Sequence, residues 1–144
     1  MRAAARLRST YVIVLEDPLA GVAAGWRDMW DLSAGPPAAA GFERQVADAL
    51  AAWQARQFEL PDYYVVGADP SGTGEDFYLG PLRAVRPRRV AVSGIADGPG
   101  QADRLLDTLR SLGHGPWWPP LDELIDAARH FYAGGLAESQ QAAR

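Results

Sequence analysis

The stretch Tyr11-Val12-Ile13-Val14-Leu15-Glu16-Asp17-Pro18 decides how the rest of the chain reads. Its first five residues are apolar and rich in β-branched side chains without alternation, the pattern of a strand buried on both faces beneath helices. Asp17-Pro18 then offers a helix start. The carboxylate can accept from the free N–H groups of a first turn, and proline at the first helical position gives up a donor that the turn does not use. Leu19, Val22, Ala23, Trp26 and Trp30 follow at helical spacing and predict a helix over 18–32.

Outward from that unit the alternation of elements continues. Gly35-Pro36-Pro37 predicts a loop over 33–41. Phe42, Val46, Ala49, Leu50 and Trp53 then form one stripe opposite Glu43, Arg44, Asp48 and Arg56, a second amphipathic helix that must finish before Pro61. Tyr63-Tyr64-Val65-Val66 reads as a second strand, 67–76 as a glycine- and acid-rich loop, and Phe77-Tyr78-Leu79 as a short edge strand. Val90-Ala91-Val92 is a further strand after the basic turn Arg86-Pro87-Arg88-Arg89. A helix carrying Ala102, Leu105, Leu106, Leu109 and Leu112 inward ends at Gly113, and a last helix with Leu121, Leu124, Ile125, Ala128, Phe131 and Tyr132 on one face ends at Gly134-Gly135. The expected fold is a single-domain α/β sandwich: a small, partly parallel sheet of three or four strands packed with about four helices. Residues 10–135 form the domain, flanked by a flexible N-terminus over 1–9 and a flexible tail over 136–144.

Composition narrows the chemistry. With 48% hydrophobic and 22% charged residues, the 144-residue chain has ordinary globular usage and enough length for one core. It contains no cysteine, so disulfides, thiolate metal sites and cysteine nucleophiles are excluded and a reducing, cytoplasmic compartment is expected. All 14 basic residues are arginine, a bias that fits a bacterial genome rich in GC. Without lysine there is no Schiff-base amine and no Walker-type phosphate lysine. A net charge of -4 disfavours nucleic acid, and no stretch approaches the roughly 20 apolar residues that span a bilayer. The short apolar run after the Arg- and Ala-rich first residues is not a signal-peptide core. The expected partner is another protein.

Two groups of residues could carry function. The first is acidic: Asp17 follows one strand, Asp69 and Asp76 follow another, and parallel strands would bring these carboxylates together to hold Mg²⁺ or Mn²⁺. The segment Val66-Gly67-Ala68-Asp69-Pro70-Ser71-Gly72-Thr73-Gly74-Glu75-Asp76 resembles the first metal-binding strand of RNase H-like nucleases, such as phage terminase nuclease domains. That resemblance implies a metal-dependent hydrolase. Read from the residues alone, Asp17 is a helix cap and Asp69-Pro70-Ser71-Gly72 is turn chemistry, the reading preferred here.

The second group is aromatic. Trp117 and Trp118 sit in the proline-flanked loop His114-Gly115-Pro116-Trp117-Trp118-Pro119-Pro120. Neighbours in an extended segment point in opposite directions, so the two indoles can hardly share one core, and tryptophan is a favoured anchor of protein interfaces. The segment from Trp117 to Asp126 resembles the inhibitory loop and helix of the barstar family of ribonuclease inhibitors. The resemblance implies a partner-binding surface with Asp122 and Asp126 as its acids. Trp117, Trp118, Asp122, Asp126 and His114 are therefore the candidate partner-binding residues, no catalytic residue is assigned, and no cofactor is expected. The competing reading packs both tryptophans between helices.

Three weaker features remain. Residues 93–100 join a strand to a helix N-terminus, where backbone amides can bind anions, but an ordinary connecting loop is preferred. Arg83, Arg86, Arg88 and Arg89 could track phosphates, although a solvated cluster that discourages edge pairing is the commoner outcome. His130 is expected at a rim position on the last helix.

Overall fold

The computed structural model describes residues 4–6, 12–14, 17–31, 33, 35–67, 76–93, 100–113 and 115–142. Its elements run β1 (Ala4–Arg6), β2 (Val12–Val14), α1 (Ala20–Met29), α2 (Pro36–Gln54), β3 (Tyr64–Gly67), a π-helical turn (Tyr78–Leu82), α3 (Arg83–Val85), β4 (Val90–Ser93), α4 (Gln101–Leu112) and α5 (Leu121–Ala142). Helices and strands are mixed, as expected, but the parallel sheet has two strands rather than three or four. β3 and β4 run parallel with Tyr64 opposite Val90 and Val66 opposite Val92. β2 instead pairs antiparallel with β1, Ala5 facing Ile13. A partner a few residues upstream costs less loop-closure entropy than one fifty residues away, which favours the local ribbon.

The other strand expected for the sheet, at Phe77, is a helical turn. Asp76 accepts from the backbone N–H groups of Tyr78 and Leu79, which starts a turn rather than an extended segment. Pro81 has no N–H for the carbonyl of Phe77, and the N–H of Leu82 donates to that carbonyl one residue later, at 3.2 Å. This shift widens the turn to π geometry and lets proline sit inside it. Phe77 and Leu82 are thereby buried.

α1 runs Ala20–Met29 rather than over 18–32, with Pro18 ahead of it, and two further helix ends differ from expectation for identifiable reasons. α2 starts at Pro36, not after residue 41, because consecutive prolines at the first positions lack only donors that a helix start leaves free, and Gly35 turns the chain at φ 66°. α5 does not stop at Gly134-Gly135 but continues to Ala142. Gly135 serves packing there: a Cβ on it would lie 2.5 Å from Cη2 of Trp30.

The core gathers around Trp26 of α1, which is fully buried. Its ring meets Trp30, Phe42, Phe77, Phe131 and Tyr132 at centroid separations of 5.6 to 6.2 Å, mostly edge to face, the favoured aromatic arrangement. Leu19, Val22, Val46, Leu121, Leu124, Ile125 and Ala128 complete it. The helical stripes of α1, α2 and α5 thus converge on one aromatic centre, with α4 lying against β4.

Candidate functional site

Residues 115–120 connect α4 to α5 without regular structure, and three prolines among them fix their φ angles. The two tryptophans point opposite ways. Trp118 is 5% exposed, donates from Nε1 to the carbonyl of Pro61 at 2.8 Å and meets the Tyr64 ring edge to face. Trp117 is 50% exposed.

The backbone of this loop is held by arginines from the turn before β4. Arg89 is only 7% exposed, and its planar guanidinium spends its donors on three carbonyls: Nε on Pro116 at 2.7 Å, Nη2 on Gly115 at 2.9 Å and Nη1 on Asp62 at 3.0 Å. Its carbon also stands 4.5 Å from the Trp117 ring centroid and 5.9 Å from that of Tyr63, within cation–π range. Arg86 donates from Nε to the carbonyl of Trp117 at 2.6 Å. Tyr63 donates to the carbonyl of Gly113 at 2.7 Å. Gly115 comes close to the Arg88 side chain, where an added Cβ would lie 3.1 Å from the Cβ of Arg88. The basic turn, read from sequence as a uniform cluster, therefore divides: Arg89 is a buried tie, Arg86 is partly buried, and Arg83 and Arg88 are exposed. The available hint was that Arg89 directly precedes a strand buried at Val90 and Ala91.

The acids of the same segment differ in use. Asp122 is exposed in the first turn of α5, where a negative charge suits the helix dipole. Asp126 is exposed but committed, accepting from Arg129 at 2.6 Å, and Arg129 reaches Glu43 of α2 at 2.7 Å. The guanidinium holds the Glu43 carboxyl below the usual range. His130 is exposed, and its Nδ1 lies 2.8 Å from the carbonyl of Asp126, so Nδ1 carries the proton it donates there. His114 lies outside the described residues.

The Asp17 carboxylate is met by three hydrogen-bond donors. It accepts from the N–H of Leu19 at 2.9 Å, from the Tyr64 hydroxyl at 3.0 Å and from the Tyr78 hydroxyl. Burial pushes this carboxyl above its ordinary value despite those donors, and burial with the adjacent carboxylate pushes the Tyr64 phenol up as well. Sequence reading missed both tyrosines. Asp76 is engaged with the backbone of Tyr78 and Leu79. Asp69 and the anion-loop candidate at 94–99 lie outside the described residues. Among the described residues no three His, Asp or Glu side chains gather as a metal site would need.

Two shallow hollows, of about 230 and 210 Å³, lie beside residues 85–89 and between α1 and α2. Both are smaller than the roughly 300 Å³ at which ligand pockets begin. No helix among the described residues is long and apolar enough to cross a membrane. No protein family, no curated protein and no solved structure matches the chain.

Proposed function

We propose that this chain is a non-enzymatic protein-interaction module, inhibitor-like in its use of a rigid aromatic loop followed by an acidic helix start. The observation that carries the reading is Trp117: a large indole, half exposed, on a loop whose carbonyls at 115, 116 and 117 are tied down by Arg89 and Arg86. A large apolar ring kept at the surface forgoes burial free energy, and a partner that covered it would recover that term. Because the loop is already ordered, association would cost little further conformational entropy. Asp126 is tied to Arg129, and Trp118 supports the loop from within. The absence of cysteine supports a reducing, cytoplasmic setting for that partnership.

The test is affinity capture from the native host with wild-type protein and Trp117→Ala in parallel, each shown by cooperative thermal unfolding to be folded. Partners held by the wild type and missing from the variant are the expected result. If the variant retains the full set, Trp117 is not the anchor and the reading fails.

A further inference from the structure

The surface around Trp117 carries positive charge on a chain whose net charge is -4. Among the described residues, none of Arg83, Arg86, Arg88 and Arg89 forms an ion pair with a carboxylate, in contrast to Arg110 and Arg129. Arg86 and Arg89 bond only to carbonyls, which satisfies donors but leaves the charge uncompensated. Beside them lies the hollow of about 230 Å³, whose lining includes Val85, Pro87 and Pro116 together with Arg86, Arg88 and Arg89. Arg86 and Arg89, which line the hollow without a carboxylate partner among the described residues, also meet Trp117, so the exposed indole and the hollow are neighbours. Tryptophan and arginine are the residues that most often dominate binding energy at interfaces.

We propose that this face docks an acidic segment of a partner protein, one that sets an apolar side chain against Trp117 and the hollow and places carboxylates on Arg86 and Arg88. The inference rests on the interaction-module reading above and adds the partner's chemistry. Two observations favour a protein segment over a nucleic acid. The hollow fits one side chain rather than a sugar-phosphate track. Arg89 covers part of the Trp117 ring and is itself buried, so it cannot reach a phosphate.

The experiment is selection of a random displayed-peptide library on the full chain, followed by calorimetric titration of selected synthetic peptides. Selected peptides enriched in Asp and Glu are expected. Their affinity should fall by about tenfold or more with Trp117→Ala, by about fivefold with Arg88→Glu, and progressively with added salt. Arg88 is exposed and, among the described residues, makes no hydrogen bond or ion pair, so its reversal is expected to preserve the fold, which thermal unfolding checks. Peptides that need Trp117 but show no acidic enrichment would overturn this inference and leave the interaction module standing. Failure to obtain any Trp117-dependent peptide would overturn both. A thymidine oligonucleotide that binds more tightly than the selected peptides and loses affinity with Arg88→Glu would reassign the face to single-stranded nucleic acid.

Discussion

The guanidinium carbon of Arg89 stands 4.5 Å from the ring centroid of Trp117, while the same group donates to the carbonyls of Asp62, Gly115 and Pro116. One buried cation thus joins Asp62, two residues ahead of β3, to the loop before α5 and the exposed indole. Lysine could carry the charge but not the three-way fork, since its donors radiate from one nitrogen at the end of a flexible stem. Arg89→Lys should leave at least one carbonyl unpaired, lower stability by about 2 kcal/mol and loosen the loop. Chemical denaturation measures the first effect, and weaker near-ultraviolet circular dichroism from Trp117 the second. An unchanged unfolding midpoint would show that Arg89 does not tie the loop.

The adjacent tryptophans should respond in opposite ways. Trp118 is buried, bonded to Pro61 and packed on Tyr64, so Trp118→Ala should cost about 3–5 kcal/mol and leave little folded protein. Trp117→Ala removes a half-exposed ring and a cation–π contact, with an expected cost of about 1 kcal/mol or less. Urea titration of both variants decides this, and it also makes Trp117→Ala alone, not the double variant, the clean probe of partner binding.

What the sequence made legible follows from the range of the forces involved. The stripes through Trp26, Phe42 and Ile125 are local periodicities, and each became a buried helix face. The strands at Val65 and Ala91 were equally plain from their apolar runs. Pairing is not local, and nothing in Val12-Ile13-Val14 distinguished β1 from β3 as its neighbour. The π-helical turn depended on Pro81 displacing one hydrogen bond by one residue. At the candidate site, Trp117 and Trp118 were separable from their alternation along an extended segment. Arg89 was not, because its acceptors lie 26 and 27 residues away, and the tyrosines of Asp17 lie 47 and 61 residues away.

That Asp17 cluster sets a pH dependence. The folded carboxyl holds its proton to a higher pH than the unfolded one, because burial outweighs the donors from Leu19 and Tyr64. Between the ordinary aspartate value and the raised folded value, the folded state binds more protons. The cluster's contribution is therefore greatest below that window, falls as pH rises through it and is constant above. Tyr64→Phe removes a donor that favours the ionised form, so it should widen the window upward and cost about 1 kcal/mol near neutrality. Unfolding free energy measured across acidic pH in both proteins tests the sign. A wild-type contribution from Asp17, isolated with Asp17→Asn, that grows with pH would contradict the burial argument.

Neighbouring glycines in α5 offer the sharpest test of how this helix packs. Both sit inside a continuous helix, where glycine costs about 1 kcal/mol relative to alanine through backbone entropy. A Cβ on Gly134 would meet nothing within 4 Å, so Gly134→Ala should stabilise by about that amount. A Cβ on Gly135 would lie 2.5 Å from Cη2 of Trp30. The Trp30 ring cannot swing freely, because it packs edge to face on Tyr132 at 5.0 Å and on Trp26 at 6.0 Å. Gly135→Ala must therefore shift α5 or the aromatic cluster, and a net loss of about 1–3 kcal/mol is expected despite the gain in helix propensity. Thermal unfolding of the two variants should move in opposite directions. A rise in both would mean that α5 does not approach Trp30 as closely as described, since helix propensity alone would then account for each substitution.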